Sequence, residues 1–139
     1  MDERMKKFIV RQTCASICCV DEVGKPYCFS VFYAFDDNKD FLYYKSSDDT
    51  KHTPLLKANP NIAGSILPDK LKSLMIKGIQ FEGSAFIDKN NPDAKSVFYG
   101  KHPIARTVPG RIWTVRIDKI KYTDNSLGFG KKVLWERQE

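Results

Sequence analysis

The sequence predicts a mainly β protein (β+α): six or seven antiparallel strands closing as a barrel, with two or three short helices. Three observations predict it. Residues 13–46 hold three consecutive apolar runs separated by short polar turns, the pattern of an antiparallel meander. Residues 111–124, "RIWTVRIDKIKYTD", alternate apolar and polar almost strictly, at the two-residue period of a strand. Nowhere do strand and helix patterns alternate as a parallel sheet requires, and no repeat is present. The 139 residues fit a single domain, 1–139, large enough to bury a core without disulfides or metals. No linker or low-complexity segment divides it.

Each element has its own signal. Met5, Phe8 and Ile9 recur at helical spacing within 2–12 and predict a short N-terminal helix. From Thr13 the residues turn β-branched and small, and "DEVGKP" (21–26) supplies a turn into "YCFSVFYAF" (27–35). "DDNKD" (36–40) is the next turn and "FLYYKS" (41–46) the third strand. Thr53 before Pro54 reads as an N-cap with proline at the first helical position, a start capped by Asp49 or Thr50 being the alternative. "NPN" (59–61) stops that helix, and "IAGSIL" (62–67) is a strand. "SLMIKGIQFEGSAFI" (73–87) is one long strand or a bent pair, with Gly78 and Gly83 as the bending points. "NNPD" (90–93) starts a helix running over 92–100. After the strand at 111–124 come a loop, "NSLGFGKK" (125–132), and a short closing strand, "VLWE" (133–136).

Composition narrows the function classes. No apolar run approaches the roughly 18 residues needed to cross a bilayer, so no membrane partner is expected. "MDERMKKFIV" lacks the apolar stretch of a secretory signal, and a cytoplasmic protein is the expectation. Cys14, Cys18, Cys19 and Cys28 lie in strand-like runs and read as small buried hydrophobes rather than zinc ligands, since only His52 and His102 are available to complete a site. Adjacent Cys18 and Cys19 must point to opposite faces. The net charge of +6 admits an anionic partner without demanding one. Lysines are dispersed along the chain, and the aromatics of 27–35 occupy both parities. That favours burial or a dimer interface over an open nucleic-acid platform.

One stretch concentrates chemistry: "YYKSSDDTKHTPLLKANPNIAG", residues 43–64. Lys45, Ser46, Ser47, Thr50, Lys51 and His52 place cations and hydroxyls just before a helix start, where unpaired N–H groups add about half a positive charge. Asp48 and Asp49 oppose an anion unless they are aimed away. By composition alone this is either an anion cradle or a capped, solvated helix start.

The strand "GKPYCFSVFYAFD", the stretch "FLYYKSSDDTKHTPLLKANPNIAGSI" and the strand "IKGIQFEGSAFI", in that order, resemble the pyridoxamine 5'-phosphate oxidase-like family of FMN-binding split barrels. The tail "IKYTDNSLGFGKKVLWER" is similar to that of a subgroup of small bacterial proteins within the superfamily. The resemblance implies a split-barrel homodimer with two FMN molecules at the subunit interface. It places Lys51 and Thr50 at the FMN phosphate, with His52 beside them, and Tyr44, Lys45 and Ser46 along the ribityl chain. It puts Phe29, Ser30 and Val31 along the isoalloxazine edge, and Gln80 as a contact from the other subunit. Thr50 stands where many members carry arginine, and the arginine-rich C-terminal segment of the true oxidases is not evident. Pyridoxamine phosphate oxidation is therefore not expected, and no catalytic residue is assigned. The implied function is a flavin-dependent oxidoreductase acting on a small molecule. The alternative is a non-catalytic binding module for flavin, haem or another anionic ligand.

Overall fold

The computed structural model describes residues 1–127 and 131–138. Its seven strands are β1 (Cys14–Val20), β2 (Pro26–Asp36), β3 (Phe41–Ser46), β4 (Asn61–Ile66), β5 (Lys77–Phe86), β6 (Arg111–Asp124) and β7 (Lys132–Glu136). The helices are α1 (Glu3–Arg11), α2 (His52–Ala58) and α3 (Asp93–Lys101). All strand pairs are antiparallel, in the order β3-β2-β1-β4-β5-β6-β7, and a further β3–β6 pairing closes the first six into a barrel.

Long β6 makes the closure. Arg111 to Arg116 pair with β3, Lys119 to Thr123 pair with β7, and β5 runs beside Thr114 to Asp124. The β5–β6 register slips between Glu82 and Gly83, so Asp118 has no opposite number. The inward set of β6 accordingly changes from Trp113, Val115 and Ile117 to Ile120 and Tyr122. A bulge of this kind bends the strand, which is how one strand serves two walls. Gly83 allows the bend, because a Cβ there would lie 2.0 Å from the Arg116 carbonyl oxygen.

Two apolar clusters result. The barrel interior packs Ile17, Tyr33, Leu42, Tyr44, Ile79, Phe81 and Trp113 against α1 and Leu56 of α2. Each such side chain contributes roughly 1.5–3 kcal/mol by leaving water. Outside the barrel, α3 covers Ala34 and Tyr43 with Ala94 and Phe98.

Several expectations are corrected. The second helix begins at His52, not at Pro54. Thr50 Oγ1 accepts from the Thr53 N–H at 3.3 Å and bonds Thr53 Oγ1 at 2.7 Å, so the turn before the helix is Thr50's. Pro54 falls third, still among the positions whose N–H has no helical partner. Residues 73–76 are turn rather than strand, and Gly78 lies in regular ladder. A short 3-10 helix, Pro103–Thr107, follows α3, and another, Asn125–Leu127, opens the expected loop. Residues 128–130 of that loop lie outside the described residues.

The cysteines are not four buried hydrophobes. The β1–β2 register sets Cys18 opposite Cys28, and the two form a disulfide on the outer face. Cys19 points inward and is buried, as adjacency to Cys18 requires, whereas Cys14 is exposed. Among the described residues, no helix is long and apolar enough to cross a membrane, and no His/Cys/Asp/Glu group could hold a metal ion.

Candidate functional site

The barrel is split where β2 and β3 part. β2 is registered against β3 only over Tyr33 to Asp36, while β1 accompanies it back to Pro26. Among the described residues no strand runs along the other edge of 26–32, whose backbone donors and acceptors are left for a ligand or a partner. The turn leaving β3 and the start of α2 sit at this opening.

Alternation then sorts the site residues. Phe29 and Val31 are half-buried on the inner side of β2, and Ser30 is exposed on the outer side. Phe29 stacks on His52, with ring centroids 3.7 Å apart and planes within 5°. His52 in turn meets Ser46 across a 2.7 Å hydrogen bond between Nε2 and Oγ, both side chains being buried. Burial lowers the His52 pKa from its ordinary 6.5, which keeps the imidazole neutral at neutral pH. Thr50 is half-buried and engaged with Ser47 and Thr53; Lys51 is exposed, its Nζ 4.6 Å from the centre of the Tyr27 ring. These residues form one continuous surface from β2 to α2.

Two of the expected residues face elsewhere. Lys45 projects to the outer side of β3, where Nζ donates to the Ala105 carbonyl at 2.8 Å and lies 5.0 Å from the Tyr99 ring centre. It is therefore on the opposite side of the strand from Ser46. Tyr44 is wholly inside the barrel, stacked on Trp113 at 6.1 Å, and its hydroxyl has no partner among the described residues. Burial pushes that phenol far above its ordinary range.

Gln80 belongs to a second surface. Successive registers align Ser30, Ser16, Ser65, Gln80 and Lys121 in one row across β2, β1, β4, β5 and β6. The neighbouring row runs Cys28, Cys18, Ala63, Glu82 and Lys119. Small side chains on β1 and β4 form the floor of a groove of about 800 Å³, where Ser16, Cys18 and Ser65 lie beside Gln80, Lys121 and, toward β7, Trp135. Ser30 and Gln80 thus share a face, three strand spacings or roughly 14 Å apart.

Sequence reasoning missed three contributors. Arg111, at the start of β6, holds Asp48 with two hydrogen bonds of 2.8 and 3.1 Å. That ion pair offsets one of the two carboxylates that opposed an anion in the turn. Its partners are 63 residues apart, so no local signal marked it. Tyr27 backs Lys51 from one strand away, and its place on the inner parity with Phe29 was readable. The outer row emerges only once the register is known.

The residues at the split fit an anionic group tested on their chemistry. One exposed ammonium and an exposed strand edge converge there, and Asp48 is compensated, while the Ser46, Thr50 and Thr53 hydroxyls are engaged within the turn. The outer row beside them forms a groove open to a ring or to a second chain. The turn itself is close to neutral, with Lys51 and Arg111 against Asp48 and Asp49, so a phosphate there depends chiefly on Lys51 and on hydrogen bonds.

No protein-family profile matches the chain. Among solved structures, a heme-binding protein from Mycobacterium smegmatis superposes with a TM-score of 0.82 at 15% identity, covering 96% of this chain. The chain spans 57% of that protein's length. A FAD-binding protein from Mesorhizobium loti superposes with a TM-score of 0.68 at 19% identity, covering 87% of this chain and 90% of its own. Both share the fold. The UPF0306 protein YhbP of Salmonella paratyphi A is 35% identical over 121 residues, which are 86% of this chain and 82% of the relative. On that identity and span, the chain belongs to the UPF0306 protein family.

Proposed function

We propose that the chain is a homodimeric FMN-binding split barrel of the pyridoxamine 5'-phosphate oxidase-like kind, acting as a flavin-dependent oxidoreductase on a small molecule. The observation that carries this reading is the open edge of β2 beside the turn that presents Ser46, Thr50, Lys51 and His52. The heme-binding and FAD-binding proteins among the structural neighbours support a ligand of that class.

In this reading Lys51 Nζ holds the phosphate, and the Thr50 hydroxyl joins it by leaving its contacts with Ser47 and Thr53. Ser46 and His52 hold each other, which fixes the end of β3 against Phe29 and keeps the turn in one shape. The β2 edge at Phe29, Ser30 and Val31 aligns the planar ring through backbone groups. Gln80 reaches the ring from the second chain, because the outer row of one chain meets the split of the other across the two-fold axis. The flavin itself supplies hydride or electron transfer when bound. The protein's part is placement and exclusion of water from one ring face.

A second reading keeps the ligand and omits turnover. It is favoured by His52, the imidazole nearest the opening, being buried and fully engaged with Ser46 and Phe29 rather than free to move a proton. Titration with FMN followed by flavin fluorescence, then addition of NADH or NADPH, tests both. Saturation at roughly micromolar FMN with bleaching of the visible bands is the expected result. Saturation without bleaching by either donor selects the carrier, and no change on adding FMN refutes the flavin reading.

A further inference from the structure

A third surface lies away from the split and from the outer row, and shares no residue with either. Helix α1 and the turn segment 68–76 enclose a trough of about 550 Å³ whose walls carry Arg4, Lys7, Arg11, Lys70, Lys72 and Lys77. Its two carboxylates are occupied internally. Asp69 accepts from the Thr13 N–H and hydroxyl at 2.9 and 2.6 Å, and Asp124 accepts from Tyr122 and Ser126. Arg4 is paired with Asp2 and Lys77 lies 3.9 Å from Asp124. Lys7, Arg11, Lys70 and Lys72 have no carboxylate within 4 Å among the described residues.

Beside these cations the same turn segment exposes its apolar side chains. Leu71 is 72% exposed, Leu74 93%, Ile76 56% and Met75 44%, and Leu67 at the end of β4 is 57% exposed. A leucine left almost wholly in water next to a cationic trough is a costly arrangement unless something covers it.

We propose that this face docks the chain on a bilayer surface bearing anionic headgroups, with phosphates in the trough and Leu71, Leu74 and Ile76 in the interfacial layer. Charge complementarity selects the anionic partner. Leu71, Leu74 and Ile76 project from the turn and line neither the trough nor the groove described above, so a protein would need matching holes, whereas a fluid lipid layer accepts them directly. Nucleic acid fits less well: Phe8 and Tyr122 of the trough are buried, leaving no exposed ring there for a base to stack on. The sequence expectation of no membrane partner rested on the lack of a spanning run, which a surface contact does not need.

The test is co-sedimentation with vesicles of phosphatidylcholine alone and of phosphatidylcholine with about one third phosphatidylglycerol. The protein is expected to sediment with the anionic vesicles, to be released by high salt, and to ignore the neutral ones. Leu74→Ser, which touches no core, should weaken binding about tenfold. Lys70→Gln with Lys72→Gln should weaken it about twenty-five-fold, each cation near such a surface counting for roughly a factor of five. Equal sedimentation with neutral vesicles, or none with anionic ones, overturns the proposal, as do variants that bind like wild type. So does a Leu74→Ser variant that loses oligomeric mass by light scattering, since a second copy would then be the cover. Single-stranded RNA that binds through the same lysines while vesicles do not would replace lipid by nucleic acid.

Discussion

Replacing Lys51 with alanine is the sharpest perturbation of the proposed phosphate site. The side chain is exposed and no carboxylate lies within 4 Å of it among the described residues, so its removal leaves no orphaned charge. Its contact with the Tyr27 ring, at 4.6 Å, is an exposed cation–π pair of about 0.5–1 kcal/mol. Binding adds one charge-assisted hydrogen bond to a phosphate at a solvent-facing position, about 1.5–2 kcal/mol. FMN affinity should therefore fall about ten- to thirtyfold. Riboflavin, which has the ring and ribityl chain but no phosphate, should bind wild type and variant alike. The assay is paired fluorescence titration of both ligands, repeated at high salt, where screening should narrow the FMN difference. Equal losses for FMN and riboflavin would mean that the substitution disturbs the ring site, and unchanged FMN affinity would remove Lys51 from the phosphate site altogether.

Three further outcomes are expected. Ser65→Arg places a long cation in the middle of the outer row and should convert a dimer to a folded monomer, seen as halved mass by analytical ultracentrifugation with an unchanged circular dichroism spectrum. Gly83→Ala sets a methyl against the Arg116 carbonyl, at 2.0 Å by ideal geometry, and should cost about 1–3 kcal/mol in urea denaturation. His52 has a pKa lowered by burial, so below 6.5 the unfolded chain binds more protons than the folded one, and stability falls with pH until the folded pKa is passed. His52→Gln should flatten the wild-type loss of stability between about pH 7 and pH 5, measured as urea midpoints. An identical slope in the variant would assign the acid sensitivity to other groups.

Much of the barrel was legible because its strands are strongly patterned. β3 and β6 have the bounds read from the sequence, since alternation and flanking turn residues act locally. The reading of β6 stops short at Asp118, where a bulge set by the β5 partner reverses the inward parity. Lys45 lies one residue from Tyr44 and Ser46 on a strand and so faces the other way, a consequence of alternation already present in the sequence. The Cys18–Cys28 disulfide, the Arg111–Asp48 pair and the row from Ser30 to Gln80 depend on register between strands, which local pattern does not specify. Thr50 is one of the two alternative caps the sequence offers, and Pro54 after Thr53 carries the competing start signal.

Native mass spectrometry of the protein incubated with FMN tests cofactor and assembly together. The expected species is a complex of two 16.0 kDa chains carrying two FMN molecules. A monomer without flavin, or a dimer that excludes it, would refute the flavin-binding dimer.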